Sequence, residues 1–381
     1  MPATMANVDK ILKDDYQPAI RDQLVNSWVL LAQVESNSKD VSGRKATLSL
    51  HTSRNSGVGG RGAGEALPTA TAQGYTESTV FIHRNYGSMS IDGDLIAASA
   101  NDKGSFGRAL DRETKGLMTD LKNDVSRQIY NDSTRTIATC GTTAASVNVV
   151  LLAPTKAQLR QLSVGMVIDI GTTVNYQIVA AGRTFTALNK TTGVVTISGA
   201  AVTTVSGTHY ISRAGTKGNE LIGLREIVSN TGTLFTVDPA TQFDGWRSTV
   251  DANGGTNRTP TELLFEKMIE DINTESDEDP NLIVTTKGVR RNYAAQYQGR
   301  VQYTNNIDIK SGFKAITVAA GNVELPLVVD NDAPNNQAFF LNTNHLCQHQ
   351  MGNSWSWLDR DGSALHLVQG HRDPIPGRLG E

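Results

Sequence analysis

The sequence predicts an α+β chain with a small all-β module set into it. Apolar residues recur at helical spacing near the N-terminus, between residues 106 and 129, and between 263 and 272, while short runs rich in Val, Ile and Thr fill the middle and the end. Charge also drops abruptly: from Thr139 to Ser212 only five of 74 residues are charged, against 68 of the other 307. A stretch so poor in charge and so rich in Gly and Asn turns is expected to be a closed all-β unit, a barrel in form.

Composition narrows the function classes. The 381 residues carry a net charge of −3, which excludes an ordinary dedicated nucleic-acid binder with its basic excess. Aromatic residues are only 6 %, so thin layers and long arms are expected rather than one thick core. Cys140 and Cys347 stand far apart and form neither a disulfide framework nor a metal cage. The longest uncharged stretch, 191–212, is full of Thr, Ser and Gly and does not read as a membrane span. No secretory signal opens the chain, so it is expected to be soluble and cytosolic when made.

In chain order, Val8, Ile11, Leu12 and Tyr16, then Ile20, Leu24, Trp28 and Leu31 after Pro18, predict amphipathic helix over the first 35 residues. Residues 44–85 predict a long hairpin, with Ala46, Leu48 and Leu50 alternating against Thr47, Ser49 and His51, and a return strand at Thr79–His83. Its tip, 53–75, contains Gly57-Val-Gly-Gly-Arg-Gly-Ala-Gly64 and is expected to be flexible. Such a ribbon is marginal alone in water and needs another surface to lie on. Strand-like residues 88–91 and the segment 94–100 follow. Ser105 then caps a predicted helix to about Asp132, with Phe106, Leu110, Leu117, Leu121, Val125 and Ile129 inward and Arg108, Arg112, Lys115, Lys122 and Asp124 on a solvated or interfacial face.

Within the charge-poor block, strands are expected at 149–152, 166–170, 177–180, 184–188 and 194–198. After it, Glu220–Ser229 predicts a short helix. Thr259-Pro260-Thr261-Glu262 predicts a capping box with Pro at the first helical position, and the acidic turn 275–280 ends that helix. Leu282–Thr285 reads as a buried strand and Lys287–Gln298 as a helix. Strands follow at 316–319, 323–330, 338–342, 355–358 and 365–369.

Chemical motifs are weak. Gly57, Gly59 and Gly62 match G-x-G-x-x-G, but Pro68 follows at once and no strand–helix turn surrounds them. His345, Cys347 and His349 share a strand face without a fourth ligand at a recognisable spacing. Glu275–Asp279 and the Asp330-Asn-Asp332 turn offer oxygen ligands without the Gly and distal Glu of a calcium loop, and read as solvated turns. Arg290 and Arg291 read as an ion-paired helix face. No catalytic, cofactor or metal residue is assigned. The rival reading of the chain is an enzyme using the Gly-rich loop or the His345, Cys347, His349 group.

The order of these parts, with Gly64-Glu-Ala-Leu-Pro68, Leu162-Ser-Val-Gly-Met-Val-Ile-Asp169, Asn189-Lys-Thr-Thr-Gly193, Glu220-Leu-Ile-Gly-Leu224, Trp246-Arg-Ser248, Val289-Arg-Arg-Asn-Tyr293 and Val328-Val-Asp330, resembles the major capsid protein of tailed double-stranded DNA bacteriophages, the Hong Kong 97-type fold. The resemblance implies an N-terminal arm (1–43), an E-loop hairpin (44–87), a peripheral domain with a spine helix (88–138), a β-barrel-like insertion domain (139–213), an axial domain (214–325) and a return to the peripheral domain (326–381). It implies a chain without an active site or cofactor that assembles with itself into pentamers and hexamers around packaged DNA. Separate scaffolding, portal and decoration proteins would be its partners, no membrane would be involved, and its place would be the virion head after assembly in the host cytoplasm. Some relatives cross-link an E-loop Lys to a neighbour's Asn; no Lys occurs here from Ala46 to Asp102, so none is expected, Lys45 lying only at the hairpin base. A nanocompartment shell enclosing enzymes instead of DNA shares the fold and is the alternative.

Overall fold

The structure is a computed structural model that describes residues 30, 33–37, 41–89, 103–132, 134–172, 177–296, 307–308, 314–320 and 323–349. The predicted helix of residues 1–35, the segment 94–100 and the strands at 355–358 and 365–369 fall outside these, apart from a few residues near position 35. The elements are β1 (Glu35–Asn37), β2 (Val41–Ser42), β3 (Lys45–Ser53), β4 (Gly74–Phe81), α1 (Lys103–Gln128), β5 (Ala138–Thr139), β6 (Thr143–Ser146), β7 (Asn148–Val150), α2 (Lys156–Gln161), β8 (Val167–Thr172), β9 (Ile178–Asn189), β10 (Val194–Ile197), β11 (Val202–Thr204) and β12 (His209–Arg213). They continue with α3 (Leu224–Ile227), α4 (Glu262–Ser276), β13 (Leu282–Thr285), α5 (Lys287–Ala295), β14 (Ile307–Asp308), β15 (Lys314–Ala320), β16 (Val323–Val329), β17 (Ala338–Leu341) and β18 (Cys347–His349). The class is mixed α and β.

The charge-poor block folds as a six-stranded sheet in the order β5-β12-β8-β9-β10-β7. Cys140 bridges Leu151, with Gly141 N–H donating to the Val150 carbonyl at 2.8 Å and Leu152 N–H to Thr139 at 2.9 Å, so the two edge strands meet and the sheet closes on itself. Closure leaves no open edge. Inside sit Val149, Leu151, Ile168, Ile170, Phe185, Val195, Ile197 and Ile211, alternating with outward residues as the two-residue strand period demands. Helix α2 adds Leu159 and Leu162 to this core and begins in a reciprocal cap between Thr155 and Gln158. The runs expected at 177–180 and 184–188 are one strand, β9, bent at Gly182 (φ +61°), whose N–H donates to the buried Asp169 carboxylate at 2.8 Å. The irregular register of β8 against β9 marks that bend.

A second sheet, ordered β14-β15-β16-β13-β17, has two covered faces. Ile283, Leu325, Leu327 and Val318 face α4 and α5 through Phe265, Ile269 and Tyr293. Leu282, Val284, Val328, Phe339 and Leu341 face Leu30, Leu224 and Tyr130 just past the end of α1. Successive residues of β13 therefore serve opposite layers, which explains its unbroken apolar sequence. The division expected between residues 325 and 326 falls inside β16, which pairs with both β13 and β15, so the sheet runs on through it.

Three ends differ from expectation for stated reasons. Helix α1 starts at Lys103, two residues before Ser105, and closes at Gln128 because Tyr130 and Asn131 N–H turn back to Arg127 and Gln128. In α4 the cap is Thr261, whose Oγ1 accepts from Leu264 N–H at 3.2 Å, so Pro260 lies before the cap and not inside the helix. The helix expected from Glu220 shrinks to α3 because Gly223 is extended (φ −101°, ψ 174°) and lies flat on the end of α1.

A Cβ at Gly223 would sit 2.2 Å from Asn131 N and 2.7 Å from the Gln128 carbonyl, whereas Gly116 in α1 has open space beside it. Gly223→Ala is expected to destabilise the chain by about 3 kcal/mol through backbone displacement. Gly116→Ala, in contrast, should stabilise it by up to about 1 kcal/mol. Urea unfolding of the two variants checks both signs.

Candidate functional site

The feature that most needs a partner is the ribbon. Strands β3 and β4 pair from Lys45↔Phe81 to Ser53↔Gly74, with β2 beside β3 at the base. One face carries Ala46, Leu48 and Leu50 opposite Val80, Ser78 and Thr76; the other carries Thr47, Ser49 and His51 opposite Thr79, Glu77 and Tyr75. Only Ala46 and Ser78 are fully buried, both near the base; Leu48 and Leu50 stay half-covered. The base is clamped by the 234–237 hairpin, where the Phe235 carbonyl accepts from Thr79 N–H at 2.9 Å and from Ser78 Oγ at 3.1 Å. Phe235 (φ +49°) and Thr236 (φ +71°) hold the left-handed turn this needs without a glycine, a strain of about 1–2 kcal/mol each that marks the clamp as a built feature.

The ribbon's distal loop is cross-tied. Asn55 Oδ1 accepts from Gly57 N–H at 2.7 Å and Thr71 N–H at 3.0 Å, and Glu65 accepts from Gly62 N–H at 2.9 Å. Gly57, Gly59 and Gly62 thus lie in a loop with no helix after them, and the phosphate-facing helix end that the dinucleotide motif requires is absent from residues 54–73. Val58 and Leu67 are each 85 % exposed there, with Tyr75 at 65 % and Phe81 at 56 % farther down. These are apolar groups held out into water on a defined frame.

The opposite condition holds in the last turns of α1 and the turn after it, where charge is buried. Arg127 donates to Glu220 at 2.7 Å and to Asp124 at 3.2 Å; Asn131 holds the other Glu220 oxygen at 2.9 Å; Arg213, leaving the barrel, donates to Asp124 at 3.0 Å. Gln128 bonds Asp124, Asn85 at the foot of the ribbon and Leu221 N–H. On another side, Asp332 accepts from Ser126 and, through its other oxygen, from Arg160 and Gln161 of α2. Asp330 accepts from Tyr130 Oη and Asp332 N–H, each at 2.9 Å. Asp124, expected on a solvated or interfacial helix face, lies in this interior junction, and the Asp330–Asp332 turn, expected in solvent, is corrected: it is buried. A cleft of about 710 Å³ between the ribbon foot and α1 opens onto Asp124, Arg213 and Glu220, whose charges are already paired, Arg213 with Asp124 and Glu220 with Arg127.

Burial pushes the Asp124 carboxyl up, but Arg127 and Arg213 outweigh it and hold it below its ordinary range. Burial pushes Asp330 up to about 6, with the adjacent Asp332 charge adding to the shift and the Tyr130 hydrogen bond opposing it. Cys140, inside the barrel, is pushed up to about 12 by burial, which leaves its thiol unreactive at neutral pH.

The remaining sequence candidates are dispersed. His345 lies in a turn 2.6 Å from Glu278, Cys347 is exposed on β18 beside β1, and no group of three His, Cys, Asp or Glu among the described residues could hold a metal ion. Glu275, Glu278 and Asp279 take hydrogen bonds from Thr249, Asn342 and Asn273, and Asp277 (φ +58°) ends α4. Lys45 faces Glu77 at 4.0 Å across an exposed pair. Arg290 and Arg291, expected to be ion-paired, have no carboxylate partner among the described residues. No helix among the described residues is long and apolar enough to cross a membrane.

Because the folded chain holds the Asp330 proton more tightly than the unfolded chain, this group's stabilising contribution is full below about pH 4 and is lost as pH rises through about 6. Ionised and buried at neutral pH, it costs roughly 3 kcal/mol. Asp330→Asn is expected to remove that slope: relative to the variant, the wild-type chain should lose stability between about pH 4 and about pH 6 in urea titrations. Parallel pH profiles for the two chains would refute the assignment.

No family model matches the chain, and no curated protein matches it. Among solved structures it is similar to the cyanophage A-1(L) capsid asymmetric unit, with 15 % identity and a TM-score of 0.49 over 90 % of this chain and 77 % of that one.

Proposed function

We propose that this chain is a major head protein of the Hong Kong 97 type, a shell tile that assembles with itself in rings of five and six into a closed icosahedral container for double-stranded DNA. The observation that carries the proposal is the ribbon: a clamped, cross-tied tongue whose large apolar groups no described part of its own chain covers. In this reading the ribbon lies over an adjacent copy, α1 is the spine, the barrel is an insertion domain between the spine and the axial part, and residues 214–325 supply most of the contacts around the ring axes. Closed shells suit many modest contacts, and long arms multiply contact area without enlarging a core. A net charge of −3 suits a wall that confines DNA without gripping it. Scaffolding, portal and decoration proteins are the further partners this role requires, the virion head is its destination, and the host cytoplasm is where it would be assembled.

Electron microscopy of the expressed protein, with nucleic-acid content measured on native particles, tests the role. Closed shells containing DNA support it, shells containing protein cargo assign a nanocompartment, and a chain that stays monomeric under all conditions ends the proposal. Replacing residues 54–73 by a two-residue Asn-Gly turn should leave the unfolding free energy within about 1 kcal/mol, because those residues cover nothing at home, yet abolish shells. Boiled, denatured particles should run as single chains; a covalent ladder would contradict the missing ribbon lysine.

A further inference from the structure

Two rows of like charge lie on the helices that cover one face of the second sheet. Helix α4 carries Glu262, Glu266 and Glu270, one turn apart, and α5 carries Lys287, Arg290 and Arg291 in its first half. Both helices are seated by other residues: Phe265 and Ile269 in α4, Val289 and Tyr293 in α5, the Phe265 and Tyr293 rings stacked at 4.9 Å. None of the six charged groups has an ion-pair partner among the described residues. Nearby Lys267, by contrast, is tied to Asp271 at 2.5 Å and faces Asp251 at 3.9 Å. Like charges at i and i+4 weaken a helix, so each row is a standing liability in the isolated chain.

We propose that the acidic row on α4 of one copy docks against the basic row on α5 of the next. This rests on the shell reading and specifies one of its contacts. The rows are opposite in sign and each holds three charges, the cations within about 6 Å and the acids along about 12 Å at 1.5 Å per residue, so the basic row can sit within the acidic one. Leu263, 74 % exposed beside the acids, adds apolar area to the same surface. Because the two patches are unlike, the contact is head-to-tail, and a head-to-tail contact makes a ring when its rotation closes. Exposed pairs are individually weak and salt-screened, which suits reversible ring formation.

The test compares nuclease-treated wild type with three charge variants by sedimentation and electron microscopy. One carries Glu262→Lys, Glu266→Lys and Glu270→Lys; the second carries Lys287→Glu, Arg290→Glu and Arg291→Glu; the third carries all six. Each single-row reversal should raise the concentration needed for assembly roughly tenfold or more, and the six-fold variant should restore it, since the signs match again. Thermal melts establish that each variant is folded, with Glu266→Lys and Arg290→Glu as milder substitutes. Wild-type assembly should also weaken at about 0.5 M salt. Assembly untouched by either reversal or by salt overturns the docking while leaving the shell reading intact, as does a folded six-fold variant that stays apart. Assembly that vanishes on nuclease treatment assigns the α5 row to phosphate and likewise overturns it. A monomeric wild type sinks both readings.

Discussion

The last two turns of α1 and the turn that follows tie together the ribbon, the barrel and the second sheet. Asp124, Arg127, Gln128 and Asn131 reach the ribbon foot, the barrel exit and the 215–221 loop, while Ser126 and Tyr130 reach the 330–332 turn and, through Asp332, helix α2. Apolar packing alone would bind these parts as tightly, since a buried ion pair rarely outdoes well-packed hydrophobes. What a bonded network adds is arrangement. Glu220 accepts from Arg127 and Asn131 on its two oxygens, and only one placement of its loop satisfies both. Removing one partner from such a set costs about 3–5 kcal/mol, because the charge left behind remains buried. Gly223 completes the constraint by letting the backbone lie directly on Asn131.

The ribbon is the reverse case. Its foot is fixed by Asn85 and the Phe235 clamp, and its far loop by Asn55 and Thr71, yet the faces between stay half-covered or bare. A ribbon of two strands is marginal alone in water. The chain nevertheless devotes strained backbone at Phe235 and Thr236 to holding it in place. Fixed direction combined with unfinished burial is what a part made for another molecule's surface requires.

Much of this was legible in sequence. The drop in charge after residue 139 marked a closed β unit because a barrel's inward residues are apolar and its outward ones here are mostly uncharged, exposed Val and Ile among them. The alternation of Ala46, Leu48 and Leu50 marked the ribbon, and the heptad-like run Leu117, Leu121, Val125 marked α1. The buried charges were not legible. Asp330 and Asp332 were placed in solvent, and Asp124 on a solvated or interfacial face, because acids usually lie outside; tertiary partners from 89 to 206 residues away override that rule. Two stretches that carry the family resemblance, Glu220-Leu-Ile-Gly-Leu224 and Val328-Val-Asp330, each supply a buried carboxylate to the junction, but nothing in their wording marked it as buried. The bend that merges two runs into β9 was hidden for the same reason: it depends on Asp169 reaching Gly182 across strands.

Magnitudes order these features into a hierarchy. Under the shell reading proposed above, the subunit must deform less readily than the contacts it makes, or assembly would reshape it instead of joining copies. Each buried partner at the α1 junction is worth about 3–5 kcal/mol against loss, whereas an exposed ion pair of the kind the α4 and α5 rows can form contributes about 0.2–1 kcal/mol. The strong interactions are thus spent inside the chain, where geometry is set, and the weak ones lie outside, where error must be reversible. Asp330 sits on the strong side of that divide but carries a destabilising charge at neutral pH, beside the very turn that joins sheet and barrel. The junction is therefore rigid in its bonding and adjustable in its energy: a proton taken up at Asp330 stabilises the folded chain while its partners Tyr130 and Asp332 stay in place around it.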